Sequence, residues 1–265
     1  MRRRNGPAAR LLKFLANRSL KVELKRDELH IWTIDCDAAR HTMASADRFL
    51  SAAEKDRAGR FRFDLHRDRY VVAHVAMRSI LGAYLDRNPH DLTFAVEGNG
   101  KPVLVLESDS IPLRFNLSHS HNAALIAVTR DRTVGIDIEH TRTKIDCAEI
   151  AARFFAAEEI AKLKKLSRKA QRQAFFACWT RKEAYIKAKG GGLSIPLQDF
   201  AVSLAPHEKP ALSWHRTEPQ ETSRWRFENI DILPGYAAAV AVEGDGCVVK
   251  YFRWPEDLPR ADENF

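Results

Sequence analysis

The sequence lacks any apolar run approaching the roughly 18 residues of a membrane-spanning helix, which excludes the helical membrane classes. It also lacks paired cysteines. Cys36, Cys147, Cys178 and Cys247 are scattered, with no C-x-x-C and no His/Cys spacing of a metal site, so a disulfide-stapled scaffold is excluded. Cys178, in a helical pattern beside Trp179, reads as an inert buried thiol. The N-terminal arginines are followed by neither an uninterrupted apolar stretch nor a small-residue cleavage site, so a secretory signal is not expected and a reducing cytoplasm is. Surplus acid is missing too: 43 Lys+Arg against 35 Asp+Glu give +8. Residues 1–26 hold nine of the basic residues and one acid, Glu23, so the rest of the chain is formally neutral. Net charge alone suggests a polyanion partner. Its confinement to the leader argues against one, because a nucleic-acid surface draws on the folded body and on stacking or groove-reading elements.

What is present is a chain of 265 residues, enough for one large domain or two modest ones sharing a core. Glu28–Thr33 alternates as a strand does. Ser51 and Glu54 have capping-box spacing and should open a helix. Tyr70, Val71, His74, Val75, Arg78 and Leu81 recur at intervals of three and four, predicting a long helix over about 67–85. Gly98-Asn99-Gly100-Lys101-Pro102 reads as a turn at which Pro ends the ladder. Strands are expected at 114–117, 123–129 and 134–139. A helical block should run from about 148 to 189 and stop at Gly190-Gly191-Gly192, with further strands at 200–204, 225–230, 236–242 and 248–252. The order strand, helices, strands occurs twice, which predicts an α+β protein built as a pseudo-dimer of two similar halves. We expect a loose basic extension over 1–26, an N-terminal half over 27–133, a C-terminal half over 134–254 and a loose acidic tail over 255–265.

Three segments carry chemistry. In Gly135-Ile136-Asp137-Ile138-Glu139, alternation puts Asp137 and Glu139 on one face of a strand and both isoleucines on the other. Adjacent carboxylates repel unless a cation joins them, and Mg²⁺ suits oxygen ligands that share it with phosphate; a solvated strand edge is the alternative. In Trp179-Thr180-Arg181-Lys182-Glu183-Ala184-Tyr185-Ile186-Lys187, Trp179, Glu183 and Lys187 follow one helical stripe beside a core-facing side. Glu183 there needs a partner, either Lys187 or a metal. In Phe115-Asn116-Leu117-Ser118-His119-Ser120-His121, dense donors after a strand suit an anion, although a lone His at a strand end is more often structural. Ser118 and His119 are chain neighbours, which argues against a nucleophile–base pair.

Taken with Arg60-Phe61, Asp68-Arg69, Arg78-Ser79, Gly100-Lys101-Pro102 and Arg153-Phe154-Phe155, these segments resemble, in order, the larger, two-halved, Sfp-like kind of 4′-phosphopantetheinyl transferase. The match spans roughly residues 50–205. The resemblance implies transfer of phosphopantetheine from coenzyme A to a serine of an acyl or peptidyl carrier protein, releasing 3′,5′-ADP, with coenzyme A and metal between the halves. It implies that Asp137, Glu139 and Glu183 hold Mg²⁺, that Glu183 takes the serine proton directly or through a metal-bound water, and that Lys187 stabilises phosphate charge or protonates the leaving group. It further implies coenzyme A contacts at Ser118, His119 and Lys101, with Arg57 and Arg69 near the 3′-phosphate. Carrier proteins are typically acidic, so the acid-free cluster Lys162, Lys164, Lys165, Arg168, Lys169 and Arg172 is a candidate docking face. A monomer is expected. Two other readings stay open at this point: another Mg²⁺-dependent phosphohydrolase or nuclease using the same carboxylates, and a basic nucleic-acid-binding protein.

Overall fold

The computed structural model describes residues 22–106, 111–142, 144–205, 208–231 and 233–258. The remainder of the expected extension and tail lies outside the described residues. Residues 22–26 touch the body: the Val22 amide donates to the Ala83 carbonyl and Arg130 donates to the Leu24 carbonyl.

In chain order the elements are β1 (Glu28–Asp35), α1 (Ala52–Gly59), α2 (Asp64–Leu85), β2 (Phe94–Glu97), β3 (Lys101–Leu104), β4 (Leu113–Ser120), β5 (Ala123–Arg130) and β6 (Val134–His140). They continue with α3 (Cys147–Phe154), α4 (Ala157–Lys164), α5 (Arg168–Lys189), β7 (Phe200–Val202), β8 (Leu212–His215), α6 (Glu221–Arg224), β9 (Trp225–Asn229), β10 (Tyr236–Glu243) and β11 (Val248–Trp254). One sheet has the order β11-β1-β5-β4 and a second β6-β10-β9, while β2-β3 and β7-β8 form two-stranded ribbons. Only the β1–β11 pair is parallel among these ladders. β11 lies past the expected half boundary at 134, yet it closes the sheet that β1 opens.

The period-two pattern divides each strand between two cores. Trp32, Ile34, Ala124, Ile126 and Val128 face α2, whereas Leu29, Ile31, Leu125 and Ala127 face Ile136, Ile138 and Val240 of the second sheet. A third core joins α5 to β7, β9 and β10 through Phe175, Tyr185, Phe200, Phe227 and Ala241. The molecule is therefore α+β, with a 22-residue helix on the outer side of each main sheet.

The sheets meet where β4 runs alongside β6. Asn116 Oδ1 accepts from the Ile136 amide (2.9 Å), Ser118 Oγ from Ile138 (3.4 Å) and Ser120 Oγ from His140 (3.1 Å). Alternate side chains of β4 thus satisfy alternate amides of β6, as a ladder of carbonyls would.

The helical block expected over 148–189 consists of three helices. Asp146 caps the first through the Ala148 and Glu149 amides, and the chain is extended at Phe155 and Ser167. Pro102 does not end a ladder but sits within β3 opposite Val96; a two-stranded ribbon tolerates it because one edge of each strand has no partner. The capping box forms as expected, with Ser51 Oγ accepting from the Glu54 amide and Glu54 Oε2 from the Ser51 amide.

α5 lies directly on β6 at Gly135, where a Cβ would fall 2.1 Å from the Ala184 carbonyl oxygen and 2.4 Å from the Ala188 nitrogen. Gly135→Ala should therefore push α5 outward at a cost of about 1–3 kcal/mol. Differential scanning calorimetry should read a Tm lower by about 3 °C or more; an unchanged Tm would show that the helix yields freely.

Candidate active site

Gly135, Asp137 and Glu139 share the face of β6 opposite Ile136 and Ile138, and the close approach at Gly135 brings the last turns of α5 over them. The rotation of α5 is set by Lys182, fully buried, whose ammonium pairs with Glu159 at 2.8 Å and donates to the Leu197 and Phe200 carbonyls. Its neighbour Glu183 and, one turn on, Lys187 then face β6. Lys187 Nζ lies 2.5 Å from Asp137 Oδ1 and 3.0 Å from Ser118 Oγ, and Ser118 donates to Asp137 Oδ1 at 3.0 Å. Ser120 donates to Glu139 Oε2 at 3.0 Å.

The electrostatics follow from this crowding. Burial, then Asp137, push the Glu183 carboxyl up to about 7, partly opposed by Lys187. Burial and Asp137 likewise raise Glu139. Desolvation, then the positive fields of His74, Lys187 and Arg57, lower the pKa of His119, which is exposed on β4. Arg57 lies over the Tyr70 ring at 5.7 Å, and Tyr70 packs on the His74 ring with centroids 4.0 Å apart.

Whether these residues suit a divalent cation can be judged from their donors. Asp137 Oδ2 is buried without a hydrogen-bond partner, and burial, then the charge of Asp137, raises the pKa of Glu183 and Glu139, both of which a cation would relieve. The set fits in its chemistry. It is not gathered as expected, however: among the described residues no group of three or more His, Cys, Asp or Glu is close enough to hold a metal. Here Lys187 Nζ pairs with Asp137 Oδ1.

Two expected coenzyme contacts are engaged elsewhere. The Arg69 guanidinium forms a two-pronged pair with Asp37 at 3.0 and 2.8 Å. Lys101 Nζ donates to the Val134 and Ala188 carbonyls, both at 3.1 Å, and burial brings its pKa down to about 8. It fastens the β2–β3 ribbon to β6 and α5 and lines a cavity of about 490 Å³ with Arg114, Thr133 and Lys189. Ser118 ties β4 to β6 as well as touching Lys187.

Residues 133–241 match the 4′-phosphopantetheinyl transferase superfamily, and residues 36–131 match the 4′-phosphopantetheinyl transferase N-terminal family. Over 235 residues the chain is 37% identical to 4′-phosphopantetheinyl transferase HetI of Nostoc sp., covering 88% of this chain and 95% of that one. The chain belongs to the 4′-phosphopantetheinyl transferase family. It is also 31% identical to 4′-phosphopantetheinyl transferase Sfp of Bacillus subtilis, over 72% of this chain and 81% of Sfp. Among solved structures, the holo-[acyl-carrier-protein] synthase of Thermotoga maritima is similar at 23% identity and a TM-score of 0.35, covering 43% of this chain and 63% of that one.

Reading the sequence misses His74, taken as part of a buried stripe, and Glu54, taken only as a cap. A charged pair at helix positions that reach across two helices has no signal in local spacing.

The coupling predicts opposite shifts. Asp137→Asn should lower the Glu183 midpoint from about 7, whereas Lys187→Met should raise it, because the first removes a repelling charge and the second a stabilising one. Carboxyl-carbon NMR titration reads both; shifts of the same sign would refute the coupling.

Proposed function

We propose that this phosphopantetheinyl transferase moves 4′-phosphopantetheine from coenzyme A to a serine of an acyl or peptidyl carrier protein, with Glu183 and Lys187 acting on the two sides of the reacting phosphate. The observation that carries this is Glu183: a half-buried carboxyl raised to about 7 beside Asp137 and Lys187 is poised to exchange a proton near neutral pH. In the transfer the serine Oγ–P bond forms and the bond from phosphorus to the oxygen of 3′,5′-ADP breaks. The serine proton passes to the Glu183 carboxylate, and Lys187 donates to the leaving oxygen. Asp137 orients Lys187 through the contact at Oδ1.

Asp137 through Oδ2, Glu139 and Glu183 would hold Mg²⁺. When bound, the ion polarises the phosphate and neutralises charge on the leaving oxygen. Arg57 and His119 would receive further phosphate of coenzyme A. Lys101 would contribute by fixing the wall of the neighbouring cavity, and Arg69 by its field rather than by contact.

We read the two sheet-and-helix units as the halves of a pseudo-dimer within one chain, acting as a monomer, with the site at their seam. The basic cluster Lys162, Lys164, Lys165 and Arg168 ends α4 and opens α5. Arg168 precedes Glu183 by 15 residues, about 22 Å along the helix. The cluster would therefore steer the far side of an acidic carrier domain rather than its serine loop. From it a cleft of about 600 Å³, lined by Arg168, Lys169 and Tyr236, runs toward the end of β6.

Mass spectrometry of apo-carriers incubated with coenzyme A and Mg²⁺ should show a gain of one phosphopantetheine per chain, lost in Asp137→Ala and Glu183→Gln. Normal turnover in either variant refutes the assigned roles. Reversing Lys164, Lys165 and Arg168 to Glu should raise KM for the carrier at least about tenfold while leaving KM for coenzyme A in place; an unchanged carrier KM removes the docking assignment.

A further inference from the structure

The β2–β3 ribbon turns at Gly98-Asn99-Gly100, and that turn rests on the C-terminal end of α5. A Cβ on Gly98 would fall 2.4 Å from the Gly190 carbonyl oxygen, so the turn reaches the helix end because no side chain stands between them. The Asn99 amide donates to the Gly190 carbonyl at 3.2 Å. Its side-chain Nδ2 donates to the Gly191 carbonyl and to Ser194 Oγ, the latter at 2.8 Å. Two residues on, Lys101 Nζ donates to Ala188 in the last turn of α5 and to Val134 at the head of β6, both at 3.1 Å.

These donors supply what the end of α5 lacks. The last four carbonyls of a helix have no partners within it, and the negative end of its dipole favours a cation there. α5 carries two lysines in its last turn, but both are engaged elsewhere: Lys187 with Asp137 and Ser118, Lys189 with Glu218 and Glu221. Lys101 brings a cation to the helix end from the ribbon. Its two acceptors flank the site. Ala188 follows Lys187 directly, and Val134 precedes Asp137 by three residues. One ammonium therefore pins the backbone on both sides of the 2.5 Å Lys187–Asp137 pair. Gly135, between the same two segments, leaves room for α5 but does not hold it.

We propose that the Gly98–Lys101 turn is a clasp on α5, in which Lys101 and Asn99 are positioning residues that hold the Lys187 ammonium at Asp137 for the transfer step. Lys101 then acts on turnover through Lys187 rather than by touching coenzyme A. The role of Lys187 at the leaving oxygen rests on the transferase reading above.

Two readouts test the clasp. With an apo-carrier, Lys101→Met should lower kcat about tenfold or more, as a small displacement of a reacting group does. The dissociation constant of coenzyme A, read by calorimetry, should stay within about twofold. In a Lys187→Ala background the same substitution should change kcat by less than about twofold, because the residue through which the clasp acts is gone. Lys101→Arg, which can still donate to two carbonyls, should keep most of the rate. Asn99→Ala, on the exposed turn, should act in the same direction as Lys101→Met and less strongly, and it carries the test if Lys101→Met does not fold. Equal loss of kcat with and without Lys187 overturns the proposal and leaves the clasp as structural support. Loss of coenzyme A affinity in step with kcat also overturns it and makes Lys101 a coenzyme contact.

The second readout needs no turnover. Timed acetylation with acetic anhydride, followed by peptide mass spectrometry, should show Lys187 reacting about threefold faster or more in Lys101→Met and in Asn99→Ala, as its ion pair loosens. The exposed Lys164 serves as internal standard. An unchanged Lys187 rate overturns the clasp whether or not the wild type modifies an apo-carrier. A wild type that modifies none refutes the transferase reading instead, and the acetylation rates still decide the clasp.

Discussion

The site exists because β4 and β6 are joined by side chains rather than by a backbone ladder. Asn116, Ser118 and Ser120 each lend an oxygen to an amide of the neighbouring strand, at a constant offset of 20 residues. Backbone pairing would merge the strands into one surface. Side-chain pairing holds them slightly apart, so that Asp137 and Glu139 project from one bank of the join and His119 from the other. Removing a single oxygen leaves a buried amide unsatisfied, a penalty of about 1–3 kcal/mol, and also shifts the register between carboxylates and basic groups. Structure and chemistry share the same three residues here.

The second constraint is the lie of α5. Contact at Gly135 sets its distance from β6, and the Lys182–Glu159 pair sets its rotation. A buried pair of this kind tends to add little net stability, but leaving one partner alone costs about 3–5 kcal/mol. Its value lies in excluding other rotations of the helix. Lys182 and Glu183 are adjacent in sequence and face opposite ways, one anchoring the helix in the core and the other facing the carboxylates of β6.

Much of this was legible in the residues themselves. The alternation of Asp137 and Glu139 against two isoleucines, the stripe through Glu183 and Lys187, the capping box at Ser51 and the stop at Gly190 are local signals, and local signals survive folding. What escaped depends on partners far away in sequence. Arg69 is engaged by Asp37, Lys101 by two carbonyls, and Glu54 by His74 and Arg78, so a basic residue in the right motif was not always a free one. The breaks inside the helical block at 148–189 were not placed, because helix-favouring residues continue through them; caps and extended dihedrals at Phe155 and Ser167 fix them. Pro102 and β8 show the same limit for strands, whose short ribbons leave little pattern to read.

The parallel pairing of β11 with β1 has a bearing on how the protein comes into being. Glu28 finds Val248 at a sequence separation of 220 residues. The sheet that carries β4, and with it one bank of the active site, therefore cannot be completed until nearly the whole chain has left the ribosome. Contacts of such long range make folding slow, because the entropy of closing the loop must be met before any pairing stabilises it. During that interval the edge of β1 stands open. Partly synthesised chains thus carry the carboxylates of β6 without the completed sheet beside them.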